Sequence, residues 1–203
     1  MHIGILGSGF VGQSMARALV AIGYDVTLGS REPGSERIRG MVADLGSRVT
    51  AASHADTVAQ VDTVFLALRW EAIPQVVGQI GEWAGKTLID AANRIGTPGS
   101  PSRDLQEMTD ANVVKAFNTI GAEHYQAPTF SGRPAAMPLC GDDADARQAT
   151  AALAGELGFV PIDLGGLEHA RLLDALAQLW IMRMMQTGER DFALTFVPKQ
   201  PEG

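Results

Sequence analysis

The six residues GSGFVG at 7–12 stand between an apolar pentapeptide, HIGIL, and a stretch with helical spacing. Gly7 permits a tight turn, Gly9 lets a ligand come close to the backbone, and Gly12 lets a helix pack hard against a strand. Free amides at the start of that helix, aided by its dipole, favour an anion such as a pyrophosphate. Phosphate-bearing dinucleotides are the ligands this turn is built for; the plain alternative is a glycine-rich turn that binds nothing.

A second pair bears on which dinucleotide. LGSREPG at 28–34 closes a second apolar run, DVTLG (25–29), with Ser30 and Arg31 where an acid would hold the ribose 2′-hydroxyl of NAD. A hydroxyl and a guanidinium instead donate to phosphate oxygens, and the guanidinium can stack on adenine. Charge-assisted bonds of this kind are worth about 1.5–3 kcal/mol each. The expected cofactor is therefore NADP(H), the alternative for Arg31 being a solvated surface residue beside Glu32.

Other catalytic sets are missing. Tyr24 and Tyr125 have Leu28 and Thr129, not lysine, four positions on, and Lys86, Lys115 and Lys199 lie in strand or tail contexts. The four histidines (2, 54, 124, 169) form no i,i+4 pair and no metal site is expected. Cys140 sits in an apolar strand and reads as core. With so little acid–base machinery the chemistry falls to cofactors, a hydride passing from NADPH to a second redox ring.

The net charge of −7 argues against nucleic acid or an anionic membrane as partner. A single cysteine permits no internal disulfide and fits a reducing cytosol. MHIGILGSG shows no basic leader, and ALAQLWIM (175–182), bracketed by Asp174 and Arg183, is too short to span a bilayer. The expected location is cytoplasmic.

The elements that would position these residues alternate. Strands are expected at 2–6, 25–29, 49–52, 61–68, 86–90 and 112–117, with helices after the glycine turn, over 35–45, and from RWEAIP to about Trp83. NRIGTPGSPS (93–102) reads as a loop. Two further strands, 135–141 and 159–165, flank a helix that opens on aspartates and closes on Gly158. The pattern predicts an α/β fold: a Rossmann-type doubly wound, mostly parallel sheet over 1–118, with a smaller C-terminal portion over 119–203. The stretch from Leu167 to about Met185 reads as a helix apolar on nearly every face, hence buried, and more than the rest of the chain can cover. It therefore predicts a homodimer contact near the cleft.

Beyond these patterns, GSGFVG, GSR (29–31), GKTLIDAAN (85–93), VVKAFNTIGA (113–122), PLCGDDADAR (138–147) and LGFVPIDLGGL (157–167) carry a resemblance. The chain resembles the coenzyme F420-dependent NADP oxidoreductase family, and equally the cytosolic reductase domain of the transmembrane ferric reductases. The resemblance implies phosphate contacts at Ser8, Gly9, Phe10 and Val11, and 2′-phosphate contacts at Ser30 and Arg31. It further implies cofactor contacts at Leu68, Arg69, Trp70 and Asn93, and a nicotinamide-side segment of Asn118, Thr119, Ile120 and Ala122, Asn118 being the positioning residue. F420, FMN or FAD would be the second redox substrate. Asn118 and Gly121 stand where F420-type members carry histidine and proline, KAFN being the ferric-reductase wording; the glycine is expected to leave room above the nicotinamide. Ser35 replaces a basic residue, with Arg37 the nearest substitute. Two alternatives stay open: a non-catalytic NADPH sensor, and a reductase of small carbonyls or imines using His124 or Tyr125 as proton donor.

Overall fold

The structure is a computed structural model that describes residues 1–94 and 101–197. The first strand, β1 (His2–Leu6), alternates its side chains: Ile3 and Ile5 enter one core, Leu6 the other. It is followed by α1 (Phe10–Ala21), β2 (Asp25–Gly29), α2 (Glu36–Leu45), β3 (Val49–Ala52), α3 (His54–Ala59), β4 (Thr63–Leu66), α4 (Ile73–Val77) and β5 (Thr87–Asp90). Then come α5 (Pro101–Met108), β6 (Asn112–Lys115), a two-strand ribbon β7 (Thr129–Phe130) and β8 (Arg133–Pro134), β9 (Ala136–Gly141), α6 (Ala144–Glu156), β10 (Val160–Asp163) and α7 (Ala170–Thr187).

Eight strands form one sheet in the order β10-β9-β6-β5-β4-β1-β2-β3. From β3 to β6 all pairings are parallel; β9 joins β6 antiparallel, with Lys115 opposite Cys140, and β10 runs parallel to β9. Two apolar layers cover the sheet. One centres on Met15, Leu19, Phe65, Phe117, Tyr125 and Leu153, the other on Val64, Leu66, Ile73, Val77, Leu105 and Leu173. The expected doubly wound architecture is present, and the strand order reverses between β1 and β4, where ligands bind in such sheets.

Several local expectations need correction. The helix after RWEAIP is a 3-10 turn, Trp70–Ala72, and the short α4, ended at Gly78; Trp83 is buried without being helical. The loop expected at 93–102 hides the start of α5, and its residues 95–100 lie outside the described residues. The largest correction concerns α7. It buries only Ala170, Leu173, Ala177 and Trp180, the i, i+3, i+7, i+10 face, while Leu172, Leu179, Met182 and Met185 are exposed. A Leu- and Met-rich sequence does not reveal which face packs. The following segment also folds back, Phe192 stacking on Trp180 at 5.1 Å and its carbonyl accepting from the indole N–H.

At the C-terminal ends of β5 and β6 a lysine is fully buried. Lys115 donates to Asp90 at 3.2 Å and to the Ala92 carbonyl, and its Nζ lies 3.3 Å from Asp174 on α7. Asp90 also accepts from Ser102 and from the Ala92 N–H. An ammonium in such a place survives only because it is paired and bonded. Lys115→Ala would leave two inward-facing carboxylates without their cation, and is expected to lower unfolding free energy by about 3–5 kcal/mol in urea titration. A loss below about 1 kcal/mol, the worth of a surface pair, would contradict this.

Candidate functional site

At the carboxyl ends of β1, β2, β4 and β5 lies a groove of about 670 Å³. Gly7, Ser8, Gly9, Phe10, Val11, Ser30, Arg31, Leu68, Arg69 and Asn93 all line it. Two glycines set the turn that forms its floor. Gly7 has φ +119°, and a Cβ there would stand 2.5 Å from the Ala67 carbonyl oxygen; one on Gly12 would stand 2.0 Å from that of Gly7. Only hydrogen fits at either position. Gly9 differs: a Cβ there would meet nothing within 4 Å, so the backbone faces open space. Gly9 caps α1 without a side-chain bond, and no acid occupies the first turn, leaving the initial amides to an external anion.

Toward the outer strands, Ser30 is buried at the end of β2, its Oγ accepting from the Glu32 N–H at 3.2 Å. Arg31 is exposed in the groove, and Arg37 joins it from α2, donating to Ser8 Oγ at 3.1 Å. Arg37 is thus the basic neighbour that the sequence offered as a substitute. His54 also lines this end, though its isolation in sequence gave no signal of it.

Toward the central strands, Asn118 donates from Nδ2 to Asn93 Oδ1 at 3.2 Å and to the Leu173 carbonyl at 3.4 Å. Its Oδ1 is buried and finds no donor. Phe117, with φ +62°, turns the chain here, and its carbonyl accepts from the Tyr125 hydroxyl at 2.7 Å. Burial raises the Asp174 carboxyl above the ordinary range, against the pull of Lys115.

Asn118 is itself buried behind Asn93 and does not line the groove, and other expected residues do not reach it either. Thr119, Ile120 and Ala122 are buried, Ile120 and Ala122 in the core beside Phe117; Gly12 packs under the turn, and the Trp70 ring lies under the Arg94 guanidinium at 4.8 Å. The space beside Gly121 is not open: the Glu123 carboxylate, paired with Arg190, lies 2.7 Å from where a Cβ would stand. Neither proposed proton donor faces the groove. Tyr125 is in the core, and His124 Nε2 sits 3.0 Å from the Arg190 carbonyl oxygen. Burial pushes the Cys140 thiol up to about 12, as suits a core residue. Among the described residues no cluster could hold a metal ion, and no helix is long and apolar enough to cross a membrane.

Comparison with known proteins fits this geometry. Residues 2–94, which build the glycine turn and the strand ends around the groove, match the family described as NADP oxidoreductase coenzyme F420-dependent. Metalloreductase STEAP3 of Rattus norvegicus is 34% identical over 180 residues, 86% of this chain; the chain spans only 36% of that protein. The F420-dependent NADP reductase of Methanothermobacter marburgensis is 25% identical over 205 residues, covering 89% of this chain and 91% of the relative. Among solved structures, a candidate F420-dependent NADP-reductase from Arthrobacter sp. FB24 superposes with a TM-score of 0.82 at 27% identity, covering 97% and 99% of the two chains. A reductive aminase from Aspergillus terreus in complex with NADPH4, cyclohexanone and allyl amine shares the fold alone, with a TM-score of 0.69 at 21% identity over 92% of this chain and 62% of that one. By sequence match over residues 2–94 and by overall fold, the chain is similar to the NADP oxidoreductases of the coenzyme F420-dependent kind.

Proposed function

We propose that this chain reduces a small-molecule acceptor with NADPH held across the strand ends. The observation that carries the reading is the uncovered glycine turn continuous with Ser30, Arg31 and Arg37 in one groove. When bound, NADPH supplies a hydride from its nicotinamide ring. The amides of Ser8, Gly9, Phe10 and Val11 would hold the pyrophosphate, and Ser30, Arg31 and Arg37 the 2′-phosphate. Leu68, Arg69 and Asn93 would line the path to the central strands. There Asn93 lines the groove, and Asn118 behind it, fixed by Asn93 and the Leu173 carbonyl, has a buried Oδ1 without a donor that would accept from a carboxamide N–H once its side chain shifts toward the groove.

Two acceptor classes are supported by different observations. Reduction of a small imine or carbonyl consumes a proton with the hydride. Asp174, whose carboxyl is raised by burial beside Lys115, follows Leu173, whose carbonyl Asn118 contacts; it lies outside the groove lining, as His124 and Tyr125 do, and would deliver a proton only through a group that reaches the groove. The reductive aminase fold likeness accords with this class. Likeness to the F420-dependent reductases and the metalloreductase favours the second class, the planar ring of F420, FMN or FAD. We also propose a homodimer through the exposed apolar side chains of α7, Leu172, Leu179, Met182 and Met185, which share their face with Arg171 and Arg183.

NADPH is expected to bind at least about ten-fold tighter than NADH by calorimetry, from the charge-assisted bonds, and Arg31→Ala to erase most of that difference. Equal affinities in the parent protein would overturn the cofactor assignment. Gly9→Ala should match the parent in thermal stability, since its Cβ meets nothing, yet lose dinucleotide affinity because it fills the pyrophosphate's place. A panel of cyclic imines, small ketones, F420, FMN and FAD should reveal acceptor-dependent NADPH oxidation in one class. No oxidation above background with any of them would favour an NADPH sensor. Sedimentation at micromolar concentration should give twice the chain mass, and Met182→Lys should halve it; a monomer mass for the parent rules the dimer out.

A further inference from the structure

His54 opens α3 and lies in the same groove as Ser30, Arg31 and Arg37. The glycine at the end of β2 makes room for it. A Cβ on Gly29 would stand 3.1 Å from His54 Cδ2, so the bare backbone lets the imidazole lie against the strand end, beside Ser30. The ring is half-buried, and among the described residues no hydrogen bond or ion pair engages its nitrogens. Two polar ring atoms thus remain for a ligand at the end of the groove that carries two arginines.

Arg31, from the segment after β2, acts on the ring, and Arg37 reaches the groove from α2. On α3 itself Asp56 is held by Ser53 Oγ at 2.6 Å. The titratable side chains of β1 and β2, His2 and Asp25, sit at the opposite strand ends, bonded to Thr27 and Arg48. β3 (Val49–Ala52) contributes no titratable side chain. Burial first, and then the Arg31 charge, lower the tendency of His54 to hold a proton, so the ring is neutral near pH 7. A dianion among these three side chains reverses that balance, because the nearest charge then becomes negative.

We propose that His54 is a further specificity-determining residue for the 2′-phosphate, and that it takes up a proton as NADP(H) binds. The proposal rests on the cofactor reading above. It makes the NADP preference depend on pH: the imidazolium contact is strong at lower pH and fades as pH rises through the His54 value in the complex. The second ionisation of a phosphate monoester lies at about 6, so at pH 7.5 proton uptake reports on the protein rather than the ligand.

The test is calorimetric titration of NADP⁺ and NAD⁺ at pH 7.5 in buffers of different ionisation enthalpy. The parent should take up a fraction of a proton with NADP⁺ and none with NAD⁺. His54→Gln should abolish the uptake and lower the NADP⁺ to NAD⁺ affinity ratio by about ten-fold, one charge-assisted bond. His54→Lys, with a fixed charge, should restore the ratio without the uptake. Identical uptake and an identical ratio in parent and His54→Gln would overturn the proposal while leaving the cofactor reading intact. Equal NADP⁺ and NAD⁺ affinities in the parent would overturn both.

Discussion

Gly12 approaches Gly7 so closely that a single added carbon would stand 2.0 Å from a carbonyl oxygen, and the ligand side of the molecule depends on that contact. It seats α1 against the end of β1 and turns the first amides of the helix toward the groove. Gly7 does the same against β4, where its missing side chain makes room for the Ala67 carbonyl. The turn is therefore pinned from both strands that border the reversal in strand order, the place where open α/β sheets bind ligands. Gly9, by contrast, touches nothing, and its open side is what remains for an anion.

The other end of the groove is fixed by charge rather than by close packing. Lys115, with no exposed surface, ties Asp90 at the end of β5 to Asp174 on α7 and to the Ala92 carbonyl. The next residues on those two strands are Ala91 to Asn93 and Ala116 to Asn118, so the network sets where the two asparagines meet. The left-handed backbone at Phe117 costs on the order of 1–3 kcal/mol. Three edge-on ring contacts, with Phe65, Tyr125 and Phe159, and the Tyr125 hydroxyl on its carbonyl hold it there. A rigid support of this sort suits the positioning role proposed for Asn118.

Strand periodicity and the glycine spacing made the sheet, its doubly wound class and the phosphate turn legible in the sequence, because both follow from local rules. Elements too short for a period were not: α3 has six residues and the β7–β8 ribbon two per strand. On α7, composition suggested burial all round, whereas contact with the sheet decides which side is covered. Thr119, Ile120 and Ala122 follow Asn118 in sequence but turn into the core, since the chain bends at Phe117. His54 and Asp174 are placed by neighbours distant in sequence, Gly29 and Lys115, which no spacing rule connects.

A crystal structure of the chain with NADP⁺ tests the central claim most directly. The account predicts pyrophosphate oxygens within hydrogen-bond reach of the amides after Gly9, the 2′-phosphate on Ser30 and Arg31, and the carboxamide beside Asn118. A dinucleotide bound elsewhere, such as in the hollow between α1 and α2 bounded by Arg17 and Asp44, would contradict it.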